Sequence, residues 1–257
     1  MSPSDLAVII PAKNEADRIA ATVSAASKIA GVDIVVVVDD GSTDATASLA
    51  SAAGAHVVRH ARNRGKAAAM ETGAEAVALI ESGAAGPVVS GTGPRHLLFL
   101  DADLADSAAE AGPLAEPVRA GTADMTIAVF TARVRNGGFG IVTTTAGAGI
   151  ERATGWRPAQ PLNGQRCLTR AAFTAALPLA PGWGTETGMT IDLLRRGKRV
   201  TEVEVPLSHR ATGNDWRSQV HRLHQLVDVG KALVAREPAF RRLREQLTRI
   251  PSGPAGT

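Results

Sequence analysis

At 257 residues, with 44% hydrophobic and 21% charged residues, the chain is long enough to bury the core of one large α/β domain. Its single cysteine, Cys167, excludes an internal disulfide and a cysteine-rich zinc site, and with no leader pattern at the start it points to a reducing, cytoplasmic setting. No apolar run approaches the roughly 18 residues of a membrane span, and with aromatics at 3% base stacking is scarce, so no nucleic-acid partner is expected.

Taken in order, Leu6 to Ile10 reads as a strand stopped by Pro11, and Asn14 to Ile29 as a helix with Ile19, Val23, Ala26 and Ile29 at helical spacing. Val32 to Val38 is a second buried strand, followed by an Ala-rich helix over 45–53. Ala55 to Arg59 is a third strand, followed by a helix over 67–80. Residues 82–95 form a Gly, Pro and Ser-rich surface loop. Leu97 to Leu100 is a fourth strand, buried on both faces. This alternation predicts a doubly wound sheet with ligands over the carboxyl ends of its strands.

Past Asp124 the pattern changes. Strands are predicted at Met125 to Phe130, Leu162 to Leu168 and Val200 to Val205, and helices at Val142 to Ala153, Ala171 to Leu177 and Met189 to Arg196, with a glycine-rich turn at Gly182 to Gly188. Asn214 to Arg236 is an amphipathic helix with Trp216, Val220, Leu223, Val227 and Val234 on its apolar face. Residues 209–249 hold nine Lys/Arg against four acids, which makes this the basic end of a chain whose net charge is +3. The organisation expected is one domain over 1–250, with a nucleotide-sugar half at 6–105, an acceptor half at 106–212, basic C-terminal helices at 213–250 and a disordered tail at 251–257.

The polar groups collect at strand ends. Lys13, Asn14 and Glu15 follow the first strand and read equally as a helix cap with its first-turn acid. Asp39, Asp40 and Asp44 surround a Gly-Ser turn after the second; one can cap the next helix and one can be solvated, but a third has no structural reason. Arg62, Arg64 and Lys66 bracket Gly65, as an anion site or as a solvated basic loop. Asp101 and Asp103, at i and i+2 of a strand, share a face about 6.6 Å apart. They repel unless a positive charge lies between them, a gap suited to a hard divalent cation; a polar strand terminus beside a helix cap is the plainer alternative.

Together and in this order, IIPAKNE, VVVVDDGSTDAT, NRGKAAAMETG and FLDADL resemble the family 2 glycosyltransferases of the GT-A fold, over roughly residues 6–105. The resemblance implies an α/β nucleotide-diphospho-sugar transferase fold, with a mostly parallel central sheet covered by helices on both faces, and an enzyme using a UDP- or GDP-sugar. It implies a nucleoside near Pro11, Ala12, Glu15 and Asp40, with Lys66 at the base or phosphates. Asp101 and Asp103 become the metal-diphosphate site for Mg²⁺ or Mn²⁺, Asp103 as the metal ligand and Asp101 facing the ribose or a metal-bound water. GWGTETG is similar to the acidic turn of the glucosyl-3-phosphoglycerate and mannosylglycerate synthase branch, related to that of polyprenyl-phosphate sugar synthases. It makes Glu186 the acceptor-side carboxylate, as general base or acceptor-binding group, against an exposed turn glutamate.

The same branch implies His209 as a further metal ligand, against a surface histidine. Asn163, Gln165, Arg166 and Thr185 are expected at the acceptor, a small phosphorylated acid or a lipid phosphate. Arg133, Arg135 and Gly137 to Gly140 suggest a mobile lid. His221 and His224 read as solvated helix residues and Cys167 as a small buried one. Peripheral membrane contact through the basic C-terminal helix and pairing with a second copy of the chain are compatible with this plan. A nucleotidyltransferase would open with a Gly-rich loop where PAKNE stands, and a dehydrogenase would show G-x-G-x-x-G there.

Overall fold

The computed structural model describes residues 4–84, 93–131, 140–207 and 216–237. Its strands are β1 (Leu6–Ala12), β2 (Val32–Asp39), β3 (His56–Arg59), β4 (His96–Phe99), β5 (Met125–Phe130), β6 (Arg166–Leu168) and β7 (Val200–Val205). Its helices are α1 (Ile19–Ala26), α2 (Thr46–Ala52), α3 (Lys66–Glu81), α4 (Glu116–Arg119), α5 (Gly140–Thr154), α6 (Arg170–Ala176), α7 (Thr185–Arg195) and α8 (Trp216–Val234), with 3-10 segments at Ala105–Ala115 and Gly182–Gly184. Among the described residues the strands form one sheet in the order β3-β2-β1-β4-β6-β5-β7. Every pairing is parallel except those of β6, which runs antiparallel to both β4 and β5. The sheet is therefore mostly parallel, with helices on both faces, as expected.

The side-chain period of two along each strand sorts the core into two layers. Leu6, Val8, Ile10, Val35, Val37 and Leu98 pack with Ile19 and Val23 of α1 and with Leu114. Ala7, Ile9, Val36, Val38, Leu97 and Phe99 pack on the opposite face with Met70 and Val77 of α3, Phe173 of α6 and Leu193 of α7. Burial on both faces explains the unbroken apolar runs, each large side chain contributing about 1.5–3 kcal/mol. The α3 backbone comes close enough to the sheet that a Cβ on Gly73 would lie 2.3 Å from Ile9 Cγ2 and 3.3 Å from Val38 Cγ2.

Several sequence boundaries are corrected. β1 continues through Pro11, which pairs with Val38. Leu100 N–H donates to Ile9 C=O as the last bond on the β4 side; strand alternation turns the proline nitrogen to that same side, where no ladder bond is lost. α1 begins at Ile19 rather than Asn14, because Asn14 is left-handed (φ 54) and its neighbours' N–H groups bond to another loop. The segment 105–120, unassigned by sequence, is a 3-10 run containing Pro113 that leads into α4. α7 starts at Thr185, so Thr185 and Glu186 lie on a helix and not in a turn. On α8, among the residues whose side chains are described, Gln225, Val229 and Ala232 are buried, whereas Val227 and Val234 are exposed; Trp216, Val220 and Leu223 of the expected apolar face lie outside them. No helix among the described residues is long and apolar enough to cross a membrane.

Replacing Gly73 with alanine raises intrinsic helix propensity by about 1 kcal/mol, yet it drives a methyl into a branched, packed isoleucine. Gly73→Ala is expected to lower unfolding free energy by about 1–3 kcal/mol in denaturant titration; a rise in stability would show that the close approach is not a constraint.

Candidate functional site

Four loops at the carboxyl ends of parallel strands are tied into one rim. Asn14 N–H donates to Ser42 Oγ (2.9 Å) and Glu15 N–H to Thr46 Oγ1 (2.9 Å), while Asn14 Oδ1 accepts from Thr43 N–H (2.9 Å). The Lys13-Asn14-Glu15 loop after β1 is thus held by the loop after β2 and does not cap α1. Pro11 and Glu15 are half-buried and Ala12 is buried.

All three carboxylates of the β2 loop are structurally engaged, which corrects the expectation that one had no structural reason. Asp39 accepts from Ser42 N–H (2.9 Å) and pairs with Arg59 (3.0 Å). Asp44 accepts from the Thr46 hydroxyl and amide and from Ala16 N–H (3.2 Å). Asp40, 5% exposed, receives Arg64 N–H and Gly65 N–H, each at 2.8 Å, and contacts His60 Nδ1 at 2.7 Å. His60 is itself buried, with Nε2 3.0 Å from Thr72 Oγ1 on α3. Burial raises the Asp40 pKa, but the His60 contact and the two backbone donors outweigh it and lower the value. Asp40 therefore fixes the loop that precedes Lys66. His60 was missed by sequence reading, although its place at the end of β3 was the available signal.

Asp101 and Asp103 lie beyond β4, in a turn, so strand geometry does not relate them. That turn is held from α1 and the residue before it: Arg18 Nη1 donates to Asp103 C=O (3.0 Å), Thr22 Oγ1 donates to Ala102 C=O (2.8 Å), and Ala105 N–H donates to Thr22 Oγ1 (2.8 Å). The Asp101 carboxylate is gripped from two sides, by Lys66 Nζ at 2.8 Å and Gln165 Nε2 at 2.7 Å. Lys66 Nζ also lies 3.0 Å from Glu186 Oε1. A Cβ on Gly164 would fall 2.3 Å from Nζ, so the turn before β6 leaves room for the ammonium there.

Glu186 is buried (4% exposed), not an exposed turn residue. Arg166, wholly enclosed, holds its backbone: the guanidinium donates to the carbonyls of Glu186 (3.1 Å), Asn163 (2.9 Å) and Pro161 (3.1 Å) and to Thr190 Oγ1 (2.8 Å). Burial pushes this guanidinium down to about 10, opposed by Glu186 and Glu202, so it stays charged at neutral pH. Thr185 is also fully buried and donates to Ala180 and Gly182 carbonyls. Arg166 and Thr185 thus brace the site from within, their polar atoms facing protein carbonyls. Asn163 is buried and bonded to Gln160 and Gln165, while Gln165 Oε1 is buried with no hydrogen-bond partner. Cys167 is fully buried, its thiol pushed up to about 12 by burial.

Among the described residues no three His, Cys, Asp or Glu side chains gather as a metal cage. The oxygen donors at the Asp101 to Asp103 turn nonetheless suit Mg²⁺ or Mn²⁺, which take one or two carboxylates and complete their shell with phosphate and water. His209, residues 133–139 of the expected lid, and residues 238–257 lie outside the described residues; of α8, so do the side chains of His221 and His224.

A profile of glycosyl transferase family 2 matches residues 7–174, more than half of the chain and all four strand-end loops. The chain belongs to glycosyl transferase family 2. Among its relatives, this family 2 member is 32% identical to glycosyltransferase AglJ of Haloferax volcanii over 218 residues, 83% of this chain and 66% of that protein. It is 30% identical to glucosyl-3-phosphoglycerate synthase of Mycolicibacterium paratuberculosis over 207 residues, 74% of this chain and 60% of that protein. The chain thus spans less than two thirds of either relative's length. A solved glucosyl-3-phosphoglycerate synthase of Mycobacterium tuberculosis, in complex with Mg²⁺ and uridine diphosphate, superposes with a TM-score of 0.67 at 27% identity, covering 90% of this chain and 79% of that one. The same synthase with Mn²⁺, uridine diphosphate and phosphoglyceric acid gives 0.67 at 26% identity, covering 90% and 78%. The GT-A fold expected from the sequence is the fold observed.

Asp40 makes stability depend on pH. Its folded-state pKa lies below the ordinary 3.8, so its stabilisation is full above that value and is lost as pH falls through and below it. Asp40→Asn is expected to cost about 1.5–3 kcal/mol at pH 7 and to flatten the loss of stability below pH 4 seen by calorimetry. An unchanged acid limb would remove the carboxylate from this role.

Proposed function

We propose that this chain transfers a hexose from a UDP-sugar to a hydroxyl of a small phosphate-bearing acceptor. The observation carrying this reading is the rim itself: strand-end loops joined through Asn14, Asp40 and Lys66 meet Asp101 from one half of the chain and Glu186 from the other. In open α/β sheets, ligands bind at this edge. The solved complexes of the M. tuberculosis synthase, with UDP, Mg²⁺ or Mn²⁺ and phosphoglyceric acid, support the donor, metal and acceptor classes.

In this reading the loops bearing Pro11, Ala12, Glu15 and Asp40 line the nucleoside. Lys66, the first residue of the 16-residue α3, meets the diphosphate with both its ammonium and the helix N-terminus. Asp103, with Asp101 beside it and His209 as a further ligand, holds a divalent cation; when bound, such a cation draws charge from the departing diphosphate. Over the reaction the acceptor oxygen bonds to the anomeric carbon. The bond from that carbon to the phosphate oxygen breaks, its electron pair leaving with UDP, and Glu186 takes the hydroxyl proton. The Asn163 to Gln165 turn orients the sugar or acceptor through the groups around Asp101.

UDP with Mn²⁺ at about 100 times its dissociation constant is expected to raise Tm by about 5–10 °C, with a chelator reversing the metal-dependent part. Absence of a shift with UDP or GDP would sink the donor assignment. Asp103→Ala should fold normally, lose the Mn²⁺-dependent shift and lower turnover by about 100-fold or more; near-normal turnover would remove Asp103 from the metal site.

A further inference from the structure

A single ammonium joins the donor and acceptor sides of the site. Lys66 Nζ lies 2.8 Å from Asp101 Oδ1 and 3.0 Å from Glu186 Oε1. The side chains of Lys66 and Asp101 each keep 29% of their surface exposed, whereas Glu186 keeps 6%. Lys66 is thus the more exposed member of the pair in which Glu186 is engaged.

The contact is built into the fold. Gly164 leaves room for Nζ that even a methyl group would fill. The first turn of α7 is fixed by Arg166 and Thr190, both of which donate to Glu186 C=O, Arg166 also donating to Thr190 Oγ1. Burial works against the Lys66 charge, but Asp101 and Glu186 outweigh it and raise its pKa, so the residue is a permanent cation. An ammonium has three donors, and the two carboxylates account for two of them. While Nζ holds Glu186 Oε1, an acceptor hydroxyl must compete with it for that oxygen.

We propose that Lys66 changes partners during the reaction: it holds Glu186 before the donor arrives and turns to the diphosphate once the donor is bound, freeing Glu186 to accept the acceptor's proton. This rests on the nucleotide-sugar reading above. The donor's diphosphate offers the ammonium several acceptor oxygens beyond those that hold a metal, and so competes with Glu186 for it. The exchange makes the donor the first ligand to bind and leaves the acceptor-side base masked until there is a sugar to transfer. Lys66 is then both a phosphate-binding group and the residue that couples the two subsites.

The test is a double-mutant cycle read by calorimetric titration of UDP with Mn²⁺ into the full chain, for wild type, Glu186→Gln, Lys66→Met and the double variant. Removing the competing carboxylate should tighten UDP binding about fivefold in the wild-type background. In the Lys66→Met background the same change should leave affinity within about twofold, because no ammonium is released. Equal tightening in both backgrounds would mean that Glu186 merely repels the diphosphate, and would overturn the exchange. Unchanged or weaker binding in Glu186→Gln alone would overturn it as well. Failure of UDP to bind wild type would instead overturn the nucleotide-sugar reading, a separate outcome. Lys66→Gln supplies the same corner of the cycle should Lys66→Met not fold.

Discussion

Residues 6–10, 34–38 and 97–100 are buried along their whole length, so β1, β2 and β4 have no face on which a polar side chain can sit without losing its water. Polar side chains are confined to the two ends of these strands: Asp33 and His96 at the amino ends, and the rim residues at the carboxyl ends. Parallel pairing brings those ends to the same edge, which turns a rule about the core into a rule about the site. Carboxylates, an ammonium and backbone donors accumulate along this rim because the middle of the sheet rejects them, while the opposite edge holds its own ion pairs, Arg95–Asp33 and Arg119–Asp5. Having accumulated, they must satisfy one another, and the bonds among 14, 42, 46, 40, 64 and 65 are how they do so.

The same pressure accounts for the division of labour among the acids. Asp39, Asp40 and Asp44 shape loops, each accepting backbone N–H groups that no helix or strand satisfies. Asp101 and Glu186 instead face a side-chain cation, an arrangement that a second anion can disturb without unfolding a loop. Groups bonded to backbone are costly to rearrange, whereas groups bonded to a flexible lysine are not. The rim therefore has a rigid part, centred on Asp40, and an adjustable part, centred on Lys66.

The sheet and the strand-end loops were legible in the sequence, because a run such as Ile34 to Val38 admits few environments and the loops between runs are short. What escaped was decided by tertiary contact. Asn14 looks like a helix start until Ser42 and Thr43 claim its backbone and side chain. Gly182 to Gly188 reads as a turn from its glycines, yet Gly182 and Gly184 are bare because Asp228 and Ala232 of α8 press against them, and α7 begins immediately after. The buried face of α8 is set by that contact and by α5, so its Val227 and Val234 stay outside despite their helical spacing. The burial of Arg166 and Thr185 was invisible for the same reason: a polar residue beside glycines looks available until the carbonyls around it are known.

β6 runs against its neighbours. On the parallel strands the site is reached by the loops that leave, but on β6 it is reached by the segment that enters, residues 163–165, which meet Asp101 from the far side. A topological reversal thus lets one edge of the sheet be furnished from two directions of the chain. Length added between α5 and β6 alters the side of the rim that meets Asp101 from β6 while the loops of β1 to β4 keep their register, so the two sides are free to diverge in evolution at different rates.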